Sequence, residues 1–397
     1  MGDTETAYKR SNKRTLGFCL LVGSLAFLYG MVIGQTSGFI AIPRYNFDFG
    51  VYNEAAGTNV LSAPQISGLS GTTLASAAVS AGFAGTIGTR WGRKIGLVVA
   101  AVSYITGVLI QVVATSYATL IVGKVANGFG IGFAANFVIP YWAETAPVSR
   151  RGSIIVMYQA LINLAQFVGQ CTVRGSSELT TRWAYRGPLM TEFLPPLILL
   201  CGIYWVPESP RWYASRGKTE NAYESMRRLR GPTYPVAEVD AEVDEIIAML
   251  EVEKELEGAA RWSDCFKGTD LRRTLLSIFT LLCQEFSGIA FVSGYGTYFF
   301  TLSGVTDPFT ITVISGMCGL AGSLTSFSLI SLIFGVFFLP ETKDRSLEEI
   351  DEMFMNKVSA WGFRKYKSTK TVQGISVATG ILSDKQQQMI VQVENAS

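Results

Sequence analysis

The sequence predicts an all-α protein whose helices cross a membrane several times. The 397-residue chain is 49% apolar and only 16% charged, whereas about 25% of the residues are charged in an ordinary soluble domain. The apolar residues also cluster in runs of roughly 20 with almost no charge, the length that a helix needs to cross about 30 Å of hydrocarbon. Together, these two observations indicate a polytopic helix bundle.

Six apolar runs make up the first half of the chain. The first run follows basic residues and is too long for the core of a signal peptide, so we expect it to stay in the membrane. Small residues recur within the runs, as at Gly123, Gly128, Gly130 and Gly132, and they favour close contact between helices. The predicted spans are 16–41, 67–88, 95–114, 117–138, 153–173 and 189–206.

The second half begins with a polar segment, 207–273, that carries helical patterning over 219–229 and 239–256. We interpret it as a helical insert outside the membrane. A seventh span covers 274–302, and the next apolar block supplies one crossing at 316–339 with an interfacial lead-in at 307–315. The predicted domains are an N-tail (1–15), a six-helix half (16–206), the insert (207–273), a truncated second half (274–339) and a C-tail (340–397).

The composition argues against several classes of function. Histidine is absent, which removes the usual zinc ligand and the usual general base near neutral pH. The six cysteines form no CxxC pair, so we expect neither a metal site nor a disulfide framework. We expect no cofactor, and no motif combines a nucleophile, a base and an orienting group as an enzyme would need. The net charge of +2 gives no indication of nucleic-acid binding.

Basic residues in the short connections predict the orientation. Arg90, Arg93 and Lys94 follow the second span, and Arg150 and Arg151 follow the fourth, on the same side as the basic N-tail. Short loops rich in arginine and lysine face the cytoplasm. We therefore predict that both termini and the insert lie on the cytoplasmic side. We expect the membrane to be the plasma membrane. The fifth connection runs against this rule, since it carries Arg174, Arg182 and Arg186.

Three connections on the predicted cytoplasmic side combine a carboxylate or a helix end with arginines. Charge at the edge of a bilayer is costly unless it is paired. Pairs between helix ends could hold a bundle closed on one side, whereas anchoring by basic loops is the simpler explanation for any one motif alone. The candidate gate residues are Arg90, Gly92, Arg93, Glu144, Arg151, Glu208 and Arg211.

The order of these motifs resembles the sugar porter branch of the major facilitator superfamily. The resemblance continues in Gln284-Glu285-Phe286-Ser287-Gly288 and in Leu339-Pro340-Glu341-Thr342-Lys343. Tyr295-Gly296-Thr297-Tyr298-Phe299-Phe300 is most similar to fungal carriers of hexoses or α-glucosides. The resemblance reaches from the first span to about Phe354. It implies an alternating-access carrier with two six-helix halves around a central sugar site.

The resemblance also implies a set of site residues. Gln159 and Gln284 match sugar-binding glutamines, and an amide offers a donor and an acceptor to hydroxyl groups; bridging between helices is the alternative role. Glu285 stands where the family usually has another glutamine, and Val32 where it often has the carboxylate that couples sugar to proton movement. Glu285 is thus a candidate for substrate binding and, with Lys124, for proton coupling, or only an ion-pair partner of Lys124.

One departure from the family is large, because its helices nine to eleven have no counterpart in this sequence. Several functions stay open on this basis. The chain is a carrier of a hexose or an α-glucoside, with proton coupling undecided, or a sugar-sensing membrane protein, or a non-functional truncated product. We expect it to insert into membranes and to take up little sugar until those helices are supplied.

Overall fold

The computed structural model describes residues 14–54, 57–146, 151–232, 234–257 and 289–322, with positions 271, 274–279, 282 and 286. All elements named below belong to one unit, Met1–Gly258 with Gly288–Gly322. The elements are α1 (Arg14–Ala41), α2 (Pro43–Phe49), β1 (Val51–Asn53), β2 (Thr58–Val60), α3 (Ala63–Trp91), α4 (Arg93–Val113), α5 (Tyr117–Thr145), α6 (Arg151–Ser176), α7 (Trp183–Thr191), α8 (Leu194–Gly202), α9 (Pro210–Ser215), α10 (Thr219–Arg230), α11 (Val236–Glu257), α12 (Ile289–Leu302) and α13 (Pro308–Gly322).

The first five predicted spans are confirmed as long helices. Three of them, α1, α4 and α5, are both long and apolar enough to cross a membrane. Helices α3 and α6 contain 29 and 26 residues, so they have the length to cross, although their sequences hold more serine, threonine and amide residues. This part of the chain is therefore a bundle of membrane-length helices.

The predicted sixth span is divided into two helices. Helix α7 ends at Thr191 and α8 begins at Leu194, with a turn at Glu192. The break has a physical cause, because Pro195 and Pro196 have no backbone N–H to donate to the preceding turn. The turn places the Glu192 carboxylate inside the bundle, where Glu192 is 1% exposed.

Glycines allow the long helices to approach each other closely. A Cβ on Gly30 of α1 would lie 2.2 Å from the carbonyl oxygen of Ile162 of α6. The glycines of α5 are equally confined: a Cβ on Gly128 would lie 1.9 Å from Ser76 Oγ of α3, and one on Gly123 would lie 2.5 Å from Gln111 Cγ of α4. The predicted role of the α5 glycines in helix packing is confirmed.

The two ends of the bundle differ in chemistry. At one end, β1 pairs antiparallel with β2, and the rings of Phe39, Tyr45, Phe49 and Tyr185 pack together with centroids 5.0 to 5.7 Å apart. We call this the hairpin end. The opposite end, where α3 meets α4 and α8 meets α9, carries the predicted gate motifs, and we call it the basic end.

The polar insert packs on the basic end. Helices α10 and α11 confirm the predicted helical patterning, and they share a small apolar core that includes Met226, Leu229 and Val243. Thr15 Oγ1 donates to the carbonyl oxygen of Leu229 at 3.1 Å, and Arg230 Nη1 donates to that of Thr145 at 3.1 Å. These bonds tie α10 to the basic ends of α1 and α5.

Two helices of the second half pack at the hairpin end, α12 against α1 and α13 against α6. The interfacial position of the lead-in at 307–315 stays a prediction, and this segment is helical from Pro308, where α13 begins. The reason is a local cap, since Asp307 Oδ1 accepts the backbone N–H of Thr310 at 3.0 Å. The predicted crossing at 316–339 extends beyond the described residues.

Candidate functional site

An ion pair joins two helices at the basic end. Arg93 begins α4, and its Nη2 and Nε lie 2.7 and 3.1 Å from the two carboxylate oxygens of Glu144 near the end of α5. Arg93 Nη1 also donates to the carbonyl oxygen of Gly88 at 2.9 Å. This side-on pairing is geometrically specific, and it locks the ends of α3, α4 and α5 together.

A second carboxylate caps helix α4. The carboxylate of Glu208 accepts hydrogen bonds from the backbone N–H groups of Arg93 and Lys94, each at 3.0 Å, and from that of Ser209 at 2.9 Å. Burial raises the pKa of Glu208 above its ordinary value, and these backbone hydrogen bonds oppose the rise. Gly92 is required here because its φ is +94° and because a Cβ would lie 2.4 Å from Glu208 Oε2.

The structure thus brings together four of the seven candidate gate residues: Gly92, Arg93, Glu144 and Glu208. The other three have different surroundings. Arg90 is exposed, with its guanidinium 6.0 Å from the centre of the Trp91 ring. Arg211 is half-buried in α9, and the side chain of Arg151 lies outside the described residues.

Gln159 lies on α6, where it is exposed. Its Nε2 donates to Asn163 Oδ1 at 3.3 Å. Gln166 and Gln170 continue the same face at helical spacing, since they follow Gln159 by seven and eleven residues. We call Gln159, Asn163, Gln166 and Gln170 the amide row. The other predicted sugar ligands, Gln284 and Glu285, lie outside the described residues.

A buried polar cluster lies between the helices of the first half. Lys124 is 2% exposed and its Nζ donates to Thr36 Oγ1 at 3.2 Å. The Glu192 carboxylate lies near enough to interact with this ammonium electrostatically. Tyr104 Oη donates to Glu192 Oε2 at 2.9 Å, and Asn127 Nδ2 approaches the same oxygen at 3.5 Å. The other oxygen, Oε1, has no hydrogen-bond partner within the described residues.

Sequence reasoning missed Glu192. The signal was present, because Glu192 is a carboxylate inside a predicted span and ionisable groups within a membrane mark functional sites. Lys124 was singled out in the sequence, and the structure buries it. Its expected partner Glu285 lies outside the described residues, so that pairing stays a prediction, whereas the electrostatic partner that the structure supplies is Glu192.

Two of the three arginines that violated the charge rule, Arg174 and Arg182, pair with carboxylates at the hairpin end, whereas the buried Nε of Arg186 has no hydrogen-bond partner within the described residues. Arg182 Nε and Arg44 Nη2 lie 3.4 and 3.1 Å from Asp48 oxygens. Tyr185 Oη donates to Asp48 as well, at 2.9 Å. Arg174 pairs with Glu178 and with Asp307, the residue that precedes α13. These carboxylate partners account for the position of Arg174 and Arg182 on the less basic side.

The chain is similar to known sugar carriers over most of its length. A family model described as "Sugar (and other) transporter" matches residues 17–332. In Saccharomyces cerevisiae, the hexose transporter HXT10 is 29% identical, with 79% of this chain and 58% of the relative covered. The low-affinity glucose transporter HXT4 is 30% identical with 79% and 54% covered, and a galactose transporter is 30% identical with 78% and 54% covered. The chain thus spans about half the length of these relatives.

Solved structures show the same fold. The xylose transporter XylE from E. coli, in a partially occluded inward-open conformation, has a TM-score of 0.62 at 20% identity, with 82% of this chain and 74% of that one covered. XylE bound to 6-bromo-6-deoxy-D-glucose gives a TM-score of 0.63 at 22% identity, with 81% and 70% covered. The predicted major facilitator fold and multi-pass membrane architecture are confirmed. The chain belongs to the sugar porter family of the major facilitator superfamily, whose members are transporters rather than enzymes.

Proposed function

We propose that this chain binds a hexose and carries it across the plasma membrane by alternating access, with the basic end in the cytoplasm. Relatives described as transporters of hexose, glucose and galactose support a hexose over a disaccharide. The accumulation of Arg90, Arg93 and Lys94 at the basic end supports the orientation. The pairing of Arg174 and Arg182 with carboxylates at the hairpin end weakens the main argument against it.

The observation that carries the sugar proposal is the hydrogen-bonded amide pair of the exposed Gln159 and the half-buried Asn163. Each amide group offers both donors and acceptors, as the hydroxyl groups of a sugar require. A neutral amide also avoids the cost of a buried charge in the membrane. We propose that Gln159 binds the sugar, with Gln284 and Glu285 supplying contacts from the seventh helix.

We also propose that the buried cluster couples sugar to proton movement. The family's usual first-helix carboxylate is replaced by Val32, whereas Glu192 provides a carboxylate with one unpartnered oxygen beside the buried ammonium of Lys124. A buried carboxylate that gains or loses a proton changes the net charge between α1, α4 and α5. This makes Glu192, with Lys124, the better supported coupling pair; Glu285 stays the alternative.

Hexose binding by the purified chain in lipid nanodiscs tests the proposal. Glucose, galactose and maltose are compared by isothermal titration, and we expect saturable binding of the hexoses and weaker binding of the disaccharide. Binding is measured rather than uptake, because we predict that uptake is low in a chain without helices nine to eleven. An absence of saturable binding for all three sugars would contradict the proposed function. Hexose binding with no exchange of sugar into sealed proteoliposomes, even after helices nine to eleven are supplied, would favour a sensor.

A further inference from the structure

Helix α13 is fastened to α6 at the hairpin end. Arg174 Nη2 lies 3.1 Å from Asp307 Oδ2, and Arg174 Nε donates to Thr310 Oγ1 at 2.9 Å. Thr310 in turn is bonded to Asp307, whose carboxylate caps α13. The start of α13 is thus held against the end of α6 by an ion pair and a shared hydroxyl.

A second contact at the hairpin end joins α1, α12 and α13. Ser37 Oγ of α1 lies 2.8 Å from Thr297 Oγ1 of α12, and Thr312 Oγ1 of α13 donates to the same Thr297 oxygen at 2.9 Å. Ser37 is fully buried and Thr297 is 1% exposed. Three helices therefore meet in a chain of hydroxyl groups that water does not reach.

A third contact is less favourable than the other two. Gln170 of α6 faces Gly316 of α13, where a Cβ would lie only 2.0 Å from Gln170 Oε1. Gln170 is 7% exposed, and its Oε1 has no hydrogen-bond partner within the described residues. Burying an amide oxygen without a donor is costly. The contact between Gln170 and Gly316 requires that α13 lies against α6.

We propose that α13 and α6 form an outer gate in which Gln170 is the sensor: closure strips its amide oxygen of a hydrogen-bond partner, and opening returns that oxygen to water or to the hydroxyl of an arriving sugar. Gln170 is then the outermost member of the amide row and an entry subsite for a polyol. The unsatisfied oxygen of Gln170 disfavours the closed gate, whereas the Arg174–Asp307 ion pair stabilises it, so the gate can open. The direction of access rests on the proposed function, in which the hairpin end faces outside.

The alternative is that Gln170 is an ordinary packing residue. The two roles differ in the effect of an apolar side chain of similar length. If the unsatisfied amide oxygen of Gln170 opposes closure, Gln170→Met removes that oxygen and favours the closed gate. If Gln170 only packs, methionine, which is flexible and fills gaps readily, leaves the gate equilibrium unchanged. Gly316→Ala has the opposite expectation, because its methyl group needs space that Gln170 occupies.

The test measures the opening of the gate by chemical labelling. All six native cysteines are replaced by alanine, and Ser37→Cys is introduced as a reporter at the buried hydroxyl contact. The full chain in sealed right-side-out vesicles is treated with a membrane-impermeant maleimide, and the labelling rate is followed. Gly319→Ala on the same helix is the matched control, since nothing lies within 4 Å of a Cβ at that position.

We expect Gln170→Met to slow labelling about tenfold, as removal of one buried unsatisfied acceptor implies. Gly316→Ala should accelerate labelling, Gln170→Ala should reverse that acceleration in the double variant, and Gly319→Ala should match the parent. An unchanged rate in Gln170→Met would overturn the proposal, and so would a complete lack of labelling in the parent. Gln170→Leu replaces the methionine variant if the latter does not fold, as judged by gel filtration.

Hexose binding by the same preparations separates this inference from the proposed function. The expected labelling pattern in a chain that binds no hexose would support the gate and refute the sugar proposal. Hexose binding together with a labelling rate that is the same before and after substitution of Gln170 would support the sugar proposal and refute the gate.

Discussion

The Glu208 carboxylate occupies the space that a side chain on Gly92 would need, because a Cβ there would lie 2.4 Å from Glu208 Oε2. The carboxylate stands at the N-terminus of α4, where unsatisfied backbone N–H groups attract negative charge. Two sequence motifs that are 116 residues apart by their numbers thus form one structure. The hydrogen bonds from the backbone of Arg93 and Lys94 to Glu208 join the turn after α3 to the turn after α8.

This relationship predicts that Gly92→Ala is more damaging than an alanine at another left-handed glycine. Gly217 is the control, since its φ is +71° and nothing lies within 4 Å of a Cβ there. Both substitutions impose backbone strain of about 1 to 3 kcal/mol, but only Gly92→Ala also displaces the Glu208 carboxylate. We expect a lower melting temperature for Gly92→Ala than for Gly217→Ala in detergent. Equal melting temperatures would show that Glu208 moves without cost.

The Arg93–Glu144 pair should contribute more to stability than an exposed pair on the insert. A double-mutant cycle with Arg93→Ala and Glu144→Ala is expected to give a coupling energy of about 1 to 3 kcal/mol, because the pair is largely buried and bonded side-on. The control cycle uses Arg228 and Glu224, an i,i+4 pair with both side chains mostly exposed, for which about 0.3 to 0.5 kcal/mol is expected. Similar coupling energies in both cycles would contradict the structural role of the first pair.

The ion pair at the outer gate should respond to acid. Hydrogen bonds from Thr310 and the charge of Arg174 hold the pKa of Asp307 below its ordinary value of 3.8. Ionised Asp307 therefore stabilises the closed gate above about that value, and the contribution is lost as the pH falls through the lowered pKa. Distances between spin labels on Gly175→Cys and Thr306→Cys should stay constant while the pH is above the ordinary value of 3.8 and lengthen only below it. In Asp307→Asn the pH response should vanish.

The proposed proton coupling makes Glu192 distinguishable from a surface carboxylate. Hexose added to the purified chain in weakly buffered solution should exchange a fraction of a proton with the medium, which a pH-sensitive dye records. We expect Glu192→Gln to abolish this exchange, whereas Glu178→Gln should leave it intact, because Glu178 has 85% of its side chain exposed. Proton exchange that persists in Glu192→Gln would assign the coupling to another group, with Glu285 as the next candidate.

Much of the fold could be predicted from the sequence because membrane spans depend on local composition. Long apolar runs such as those of α1, α4 and α5 must satisfy their backbone hydrogen bonds internally, so a helix is their only solution. The division of the sixth span was not predicted, although Pro195 and Pro196 provided the signal. The packing of α13 against α6 was also not predicted, because it depends on how distant helices meet.

The candidate site was only partly accessible from the sequence. Gln159 and the motif around Arg93 were found because they match a family pattern. The proximity of Lys124 to Glu192 and that of Gln170 to Gly316 depend on how distant helices pack, and neither pair has a sequence spacing that indicates contact. Glu192 could have been found as an intramembrane carboxylate. Nothing in the sequence alone distinguishes Gln170 from the other amides of α6.

The most direct test of the central claim is the affinity of the purified chain for glucose before and after Gln159→Ala. Loss of the amide leaves one or two sugar hydroxyls without a partner, so we expect binding to weaken by about 1 to 3 kcal/mol. Asn59→Ala is the control, because Asn59 is an amide of the hairpin whose Nδ2 donates to the carbonyl oxygen of Phe47 at 3.0 Å, and we expect it to leave the affinity unchanged. Saturable glucose binding that Gln159→Ala weakens and Asn59→Ala preserves is the predicted result; equal affinity in all three proteins, or no binding by the parent chain, would contradict the claim.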